Sequence, residues 1–249
     1  MTTFGGSDDL KGSRFEGADL ADARFVECDL TGVVMRGVEV AQMDIDAPWL
    51  VHGSHFVING VDVIGYVETE LDRRSPGREQ RRAGDPASLR EAWSALERSW
   101  APILDRAAAL PPGSVDVQVD GEWSFAQTLR HLVHASDIWF GKGILGADDP
   151  FHPLGLGDTS AGGGAEGIAP AAYDEVLGAR ADRAAMVHAF IAATTPEQLA
   201  EERRNPHDQE HAETVLQCLH VILEEEWEHQ RFALRDLDAL ASEPSGQDA

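Results

Sequence analysis

From Leu10 to Ile45 a large apolar residue returns at every fifth position: Leu10, Phe15, Leu20, Phe25, Leu30, Met35, Val40 and Ile45. Two positions ahead of each stands a partner that is mostly smaller: Asp8, Ser13, Ala18, Ala23, Cys28, Val33, Val38 and Met43. A helix repeats its faces about every 3.6 residues and a strand about every two, so a period of five belongs to neither. It requires a chain that turns a corner every five residues, with the central apolar side chains stacked inward and the polar ones facing out. Repeats this few make only about two coils, and so short a stack needs support from the rest of the chain.

The stretch Phe15-Glu16-Gly17-Ala18-Asp19-Leu20-Ala21-Asp22-Ala23 resembles a pentapeptide-repeat segment, and the resemblance covers residues 8–46. It implies a right-handed, four-sided β-helix. Residues 47–84 then read as a hairpin, a short helix and a linker. Asn59-Gly60 separates two β-rich runs and suits a type I′ turn, which needs positive φ at both central positions. Tyr66–Arg74 reads as a short helix ended near Pro76-Gly77, and 76–86 as a polar linker.

Residues 85–241 carry four long helical patterns, which predict a four-helix bundle. The first opens at Ser88, with Glu91 completing a capping box, and runs to about Leu110, with Pro102 placed to kink it. The second opens at Ser124 with Gln127 and runs to Leu145. The third spans Pro170 to about Ala193, followed by a capped turn at Thr195-Pro196-Glu197-Gln198. The fourth runs from Thr214, with Gln217, to about Leu240, leaving 242–249 as a flexible tail. The connection 146–169 is long for a bundle, and its Phe151-His152-Pro153-Leu154 is placed to close over a site, while 161–167 reads as a glycine-rich crossover.

Net charge is −24, with acidic residues spread along all 249 positions. No basic patch is present to meet phosphates, which argues against nucleic acid and anionic membranes as partners. No apolar run reaches transmembrane length, and the first residues lack the pattern of a signal peptide, so a cytoplasmic protein is expected. Both cysteines, Cys28 and Cys218, sit in apolar contexts and read as buried thiols rather than a disulfide. Lysine occurs only at Lys11 and Lys142 while arginine and alanine abound, a bias of GC-rich genomes.

The chemistry concentrates in Glu225-Glu226-Trp227-Glu228-His229. Glu225 and His229 stand one helical turn apart, within an apolar stripe that includes Cys218, Val221, Ile222 and Phe232. A charged group in a core-facing stripe needs a partner, and a metal ion is one. His220 lies about 140° around the axis from Glu225, so it falls outside this pair. It reads instead as a surface partner of Glu224, with Glu224 and Glu228 toward the polar edge. A third ligand must come from a facing helix. His131 fits best, sharing a strip with Thr128, Ala135 and Ile138, and His134 is the alternative. A His₂Glu set with an open fourth position is a catalytic zinc pattern, whereas an internal Glu/His pair without metal is a buried hydrogen bond. Trp123, Trp139 and His152 are candidate pocket residues.

The second helix, from Gly121-Glu122-Trp123-Ser124-Phe125 to His131-Leu132, and the fourth, at Glu225–Arg231, resemble the DinB superfamily of helical bundles over residues 85–240. The resemblance implies a metal site at His131, Glu225 and His229, holding zinc or nickel. Many members carry histidine where this chain has Glu225. A branch similar to mycothiol-dependent maleylpyruvate isomerase has glutamate there. It implies a metal-dependent thiol S-transferase or isomerase that joins a low-molecular-weight thiol to a small electrophile, and a GC-rich, actinobacterial source fits mycothiol. The competing reading is a non-catalytic binding protein, its repeat segment serving as a DNA mimic or as an oligomerisation cap that makes a homodimer.

Overall fold

A computed structural model describes residues 3–6, 8–26, 28–157, 168–208 and 210–242. The expected glycine-rich crossover at 161–167 and the tail beyond Ser242 lie outside them. The described chain is mainly helical, with two small antiparallel hairpins. Its helices are α1 (Ile64–Arg74), α2 (Pro86–Ala108), α3 (Phe125–Ser136), α4 (Tyr173–Ala193), the short α5 (Pro196–Leu199) and α6 (Val215–Ser242). Strands β1 (Val57–Ile58) and β2 (Val61–Asp62) flank the Asn59-Gly60 turn. Both turn residues have positive φ, 51° and 86°. Strands β3 (Glu202–Arg204) and β4 (Ala212–Thr214) form a second hairpin, with Arg203 opposite Glu213, that the sequence pattern did not reveal.

Helix starts follow local chemistry. Ser124 and Gln127 cap α3 reciprocally, Thr195 and Gln198 cap α5, and Thr214 and Gln217 exchange the same bonds at the head of α6. At α2 the cap is Asp85 rather than Ser88. Its carboxylate accepts from the amides of Ala87 and Ser88, and Pro86 supplies the preset φ of a first helical residue. The helix continues through Pro102 to Ala108. α4 begins at Tyr173, three residues after Pro170, and α1 two residues before Tyr66.

The second helical pattern does not stay α-helical to Leu145. After Ser136 it widens into a π-helical stretch, Asp137–Ile144. Wider turns of this kind change which side chains face the core. Gly141 within it lies so close to Pro150 that an added Cβ would fall 2.5 Å from the proline ring.

α3 and α2 each pack against both α4 and α6. Their shared interior is built from Leu89, Leu96, Phe125, Leu129, Leu132, Val187, Leu219, Leu223 and Leu237, among others, all nearly inaccessible. The expected polar linker is a built element. Residues Arg78–Arg82 form a 3₁₀ turn, and Arg78 and Arg81 are buried where they meet Glu68 and Asp72 of α1, with Arg78 also bound to Glu228 of α6.

Over residues 8–46 no strand is found among the described residues. Hydrogen-bonded turns recur every ten residues instead: Ser13 to Leu10, Ala23 to Leu20, Val33 to Leu30 and Met43 to Val40. Each turn has one residue of positive φ, Gly12, Asp22, Gly32 and Gln42 in order. The row expected to stack inward is exposed, from 43% at Leu10 to 60% at Phe15. Arg231 pairs with Asp46 and Arg24 donates to the carbonyl of Asp120, fixing the segment to the helices.

Cys28 is exposed, against expectation, because the row around it is open to solvent, whereas Cys218 is fully buried. Burial pushes the Cys218 thiol up to about 11, so it stays protonated at neutral pH. A chromogenic disulfide should therefore titrate one thiol in the native protein and two after denaturation. Two reactive thiols in the native state would refute this burial.

Candidate metal centre

Buried polar groups need partners, and α6 carries four carboxylates within a little more than one turn. Glu224, Glu226 and Glu228 are all buried, and Glu225 nearly so. Each finds a different partner. Glu224 binds Arg82 and His52, and Glu228 binds Arg78 and Arg231. This corrects the placing of both on the polar edge: the arginine-rich 3₁₀ turn and the residues before β1 cover that side of α6. His220 is consequently not paired with Glu224 but bonded to the carbonyl of Ala83. Glu226, overlooked in the sequence pattern, is 1% exposed and held by Arg180 of α4 and the indole of Trp100 in α2. Burial pushes its carboxyl up, and Arg180 and Trp100 act against that shift.

Glu225 is left to face α3, where the structure brings together the three residues singled out by spacing. His131, Glu225 and His229 each offer one ligand atom, all within 4.8 Å of one another. Oε2 of Glu225 lies 3.5 Å from Nε2 of His131 and 3.3 Å from Nδ1 of His229. The imidazoles stack at 4.6 Å, and the half-buried Trp123 lies over both, 4.7 Å from His131 and 6.4 Å from His229. Burial would raise the Glu225 carboxyl, but His131 and His229 beside it hold it below the usual range.

The ring nitrogens are assigned by their partners. Nδ1 of His131 bonds the carbonyl of Leu156 at 3.1 Å, and Nδ1 of His229 bonds the carbonyl of Glu225 at 2.8 Å. A carbonyl only accepts, so Nδ1 bears a hydrogen in both rings, which places the lone pair of each neutral imidazole on Nε2. Oε2 of Glu225 is buried with no hydrogen bond of acceptable geometry. An ionised, unsatisfied oxygen beside two imidazoles suits a cation, and two nitrogens with one carboxylate oxygen is a donor set that zinc accepts.

The other candidates have different places. His134 stacks on Phe151 at 5.4 Å, away from the cluster. His152 works through its backbone amide, which donates to Asp137, and through Nδ1, which accepts from Leu154. Trp139 stands by His207 in the turn between β3 and β4, 5.3 Å between rings. Of the three proposed pocket residues, Trp123 alone packs on the histidine cluster.

Helices packed with a His₂Glu cluster between the second and last long helix define a class of helical proteins with a candidate metal site. The family comparison is specific: the model of the DinB superfamily matches residues 95–233, and the chain belongs to that superfamily. The model of pentapeptide repeats in eight copies matches residues 9–37. No curated protein and no solved structure matches the chain.

Arg180→Met would leave Glu226 buried without its cation, and a loss of about 3–5 kcal/mol of stability is expected. Adding Glu226→Gln should recover part of it. Chemical denaturation of the two variants checks this, and equal stability of wild type and Arg180→Met would contradict it.

Proposed function

We propose that this DinB protein forms a four-helix bundle and is a metal-dependent S-transferase or isomerase. It would use a low-molecular-weight thiol of the mycothiol type on a small electrophile in the cytoplasm. The observation that carries the reading is the orphaned Oε2 of Glu225 between two imidazoles whose lone pairs are fixed on Nε2. His131, Glu225 and His229 would hold zinc, with nickel as the alternative. Bound there, the ion would lower the pKa of a thiol or water in its open position.

The chain's own groups support an external thiol. Cys218 is buried and protonated, and Cys28 belongs to the N-terminal segment, so neither is a nucleophile at the cluster. Trp123 covers the histidine pair and limits water on that side. Glu225 brings negative charge, so two neutral imidazoles and one carboxylate would leave a divalent site with net charge of about +1, favourable to a thiolate. Elemental analysis of the purified protein should find about one zinc or nickel per chain, and His229→Ala should lose it. Metal-free wild type, or equal metal in the variant, would end this reading.

A second reading concerns the repeat segment, whose apolar row is exposed. Soluble proteins seldom leave such a surface uncovered, and a second copy stacked on the row would close the coils into a β-helix and make a homodimer. Light scattering should give a dimer for wild type and a monomer for Phe15→Asp/Phe25→Asp. A monomeric wild type would dispose of it.

A further inference from the structure

Residues 150–157 run back along α3 and its π-helical continuation as a strap, tied at successive points. Pro150 fits against Gly141, where no side chain has room. Oδ2 of Asp137 accepts the amide of His152 at 2.8 Å, while Oδ1 takes Nε of Arg183 in α4 at 2.6 Å. The carbonyl of His152 accepts the amide of Gly155, making a tight turn. Arg130 donates to the carbonyl of Leu154, and the amide of Leu156 donates to the carbonyl of Arg130. The strap then presents the carbonyl of Leu156 to Nδ1 of His131.

Asp137 is 4% exposed, nearly as inaccessible as the core, and its side chain accepts from His152 and Arg183. Its two oxygens serve different elements, one the strap and one α4. It begins the π-helical stretch, and stretches of this kind often mark functional sites.

From this geometry we infer that Asp137 is a positioning residue for the proposed metal centre: through the strap it holds the Leu156 carbonyl where His131 must keep its hydrogen on Nδ1 and its lone pair on Nε2, toward Glu225. The inference rests on the metal reading for its purpose, but the orientation of His131 is a property of the protein itself. Groups that hold a ligating histidine from behind typically change metal affinity by about 10–100-fold.

Asp137→Asn is the direct test. The amide offers one acceptor where two donors, the His152 N–H and Arg183, now bind, so one of them is lost. Two measurements separate the claims. Long-range ¹H–¹⁵N spectra of the protein stripped of metal report the His131 tautomer. A single Nδ1–H form is expected in wild type and a mixture with Nε2–H in the variant. Competition with a chromogenic chelator reports zinc affinity, with a loss on the order of 10-fold expected. Should Asp137→Asn fail to fold, Gly155→Ala takes its place. Its Cβ would sit 3.1 Å from the His152 carbonyl oxygen and 3.5 Å from Cα of His134, wedging the strap off α3 with Asp137 and Arg183 intact. The same two changes are expected. An unaltered His131 tautomer in a folded variant overturns the inference, as does unaltered zinc affinity. Wild type that binds no zinc overturns the metal reading instead, and the tautomer measurement still decides the role of Asp137.

Discussion

Burying carboxylates on one helix is the constraint around which this molecule is arranged. Four of the five residues from Glu224 to Glu228 are acidic, and they point in different directions around α6. An unpaired buried charge is strongly disfavoured, so each direction must bring a cation or a donor. Arg78 and Arg82 come from the 3₁₀ turn, Arg180 from α4 and Trp100 from α2. The packing of the 3₁₀ turn, α2 and α4 on α6 therefore has an electrostatic component. Glu225 differs from the rest in that it stands between two imidazoles, whereas each of the others is held by a guanidinium group. That difference separates a candidate site from structural pairs on the same turn.

The sequence made the central cluster legible because helical geometry is regular over short distances. Glu225 and His229 at i and i+4 needed only the helical period, which left His131 and His134 of α3 as alternatives until the DinB resemblance pointed to His131. Capping boxes at Ser124, Thr195 and Thr214 were legible for the same reason, since each is a contact between residues three apart. What was not legible depends on distant covering elements. Glu224 and Glu228 lie beside the inward stripe and look solvated until Arg78, Arg82 and Arg231 are placed over them. Glu226 looks like surface charge unless α4 is known to aim Arg180 at it. Short strands such as β3 and β4 carry polar residues, Glu202-Arg203-Arg204, whose pairing is set by the turn at Asn205 rather than by apolar alternation. The period of five foretold regular turning. It could not foretell that the hydrogen-bonded turns would recur at ten.

The change from α- to π-helical winding after Ser136 has a comparable origin. Nothing in the apolar spacing of 125–145 marks it, since Phe140 and Ile144 still reach the interior. What marks it is glycine at 141, which lets Pro150 approach the helix backbone. The helix yields its regular hydrogen bonds where the returning chain lies against it, and this contact starts the strap that ends at His131.

The junction between the N-terminal segment and the helices has a property of its own. Arg231 lies two residues beyond His229 and bonds Asp46, and Arg235, one turn further, bonds Glu122, the neighbour of Trp123. These side chains are about a third to a half exposed, unlike the buried pairs of Glu226. Exposed pairs are screened by dissolved ions within about 10 Å at moderate salt, and buried ones much less. Ionic strength therefore acts selectively: concentrated salt loosens the seam that joins the repeats to the edge of the His131–Glu225–His229 cluster while leaving the interior of the helices intact.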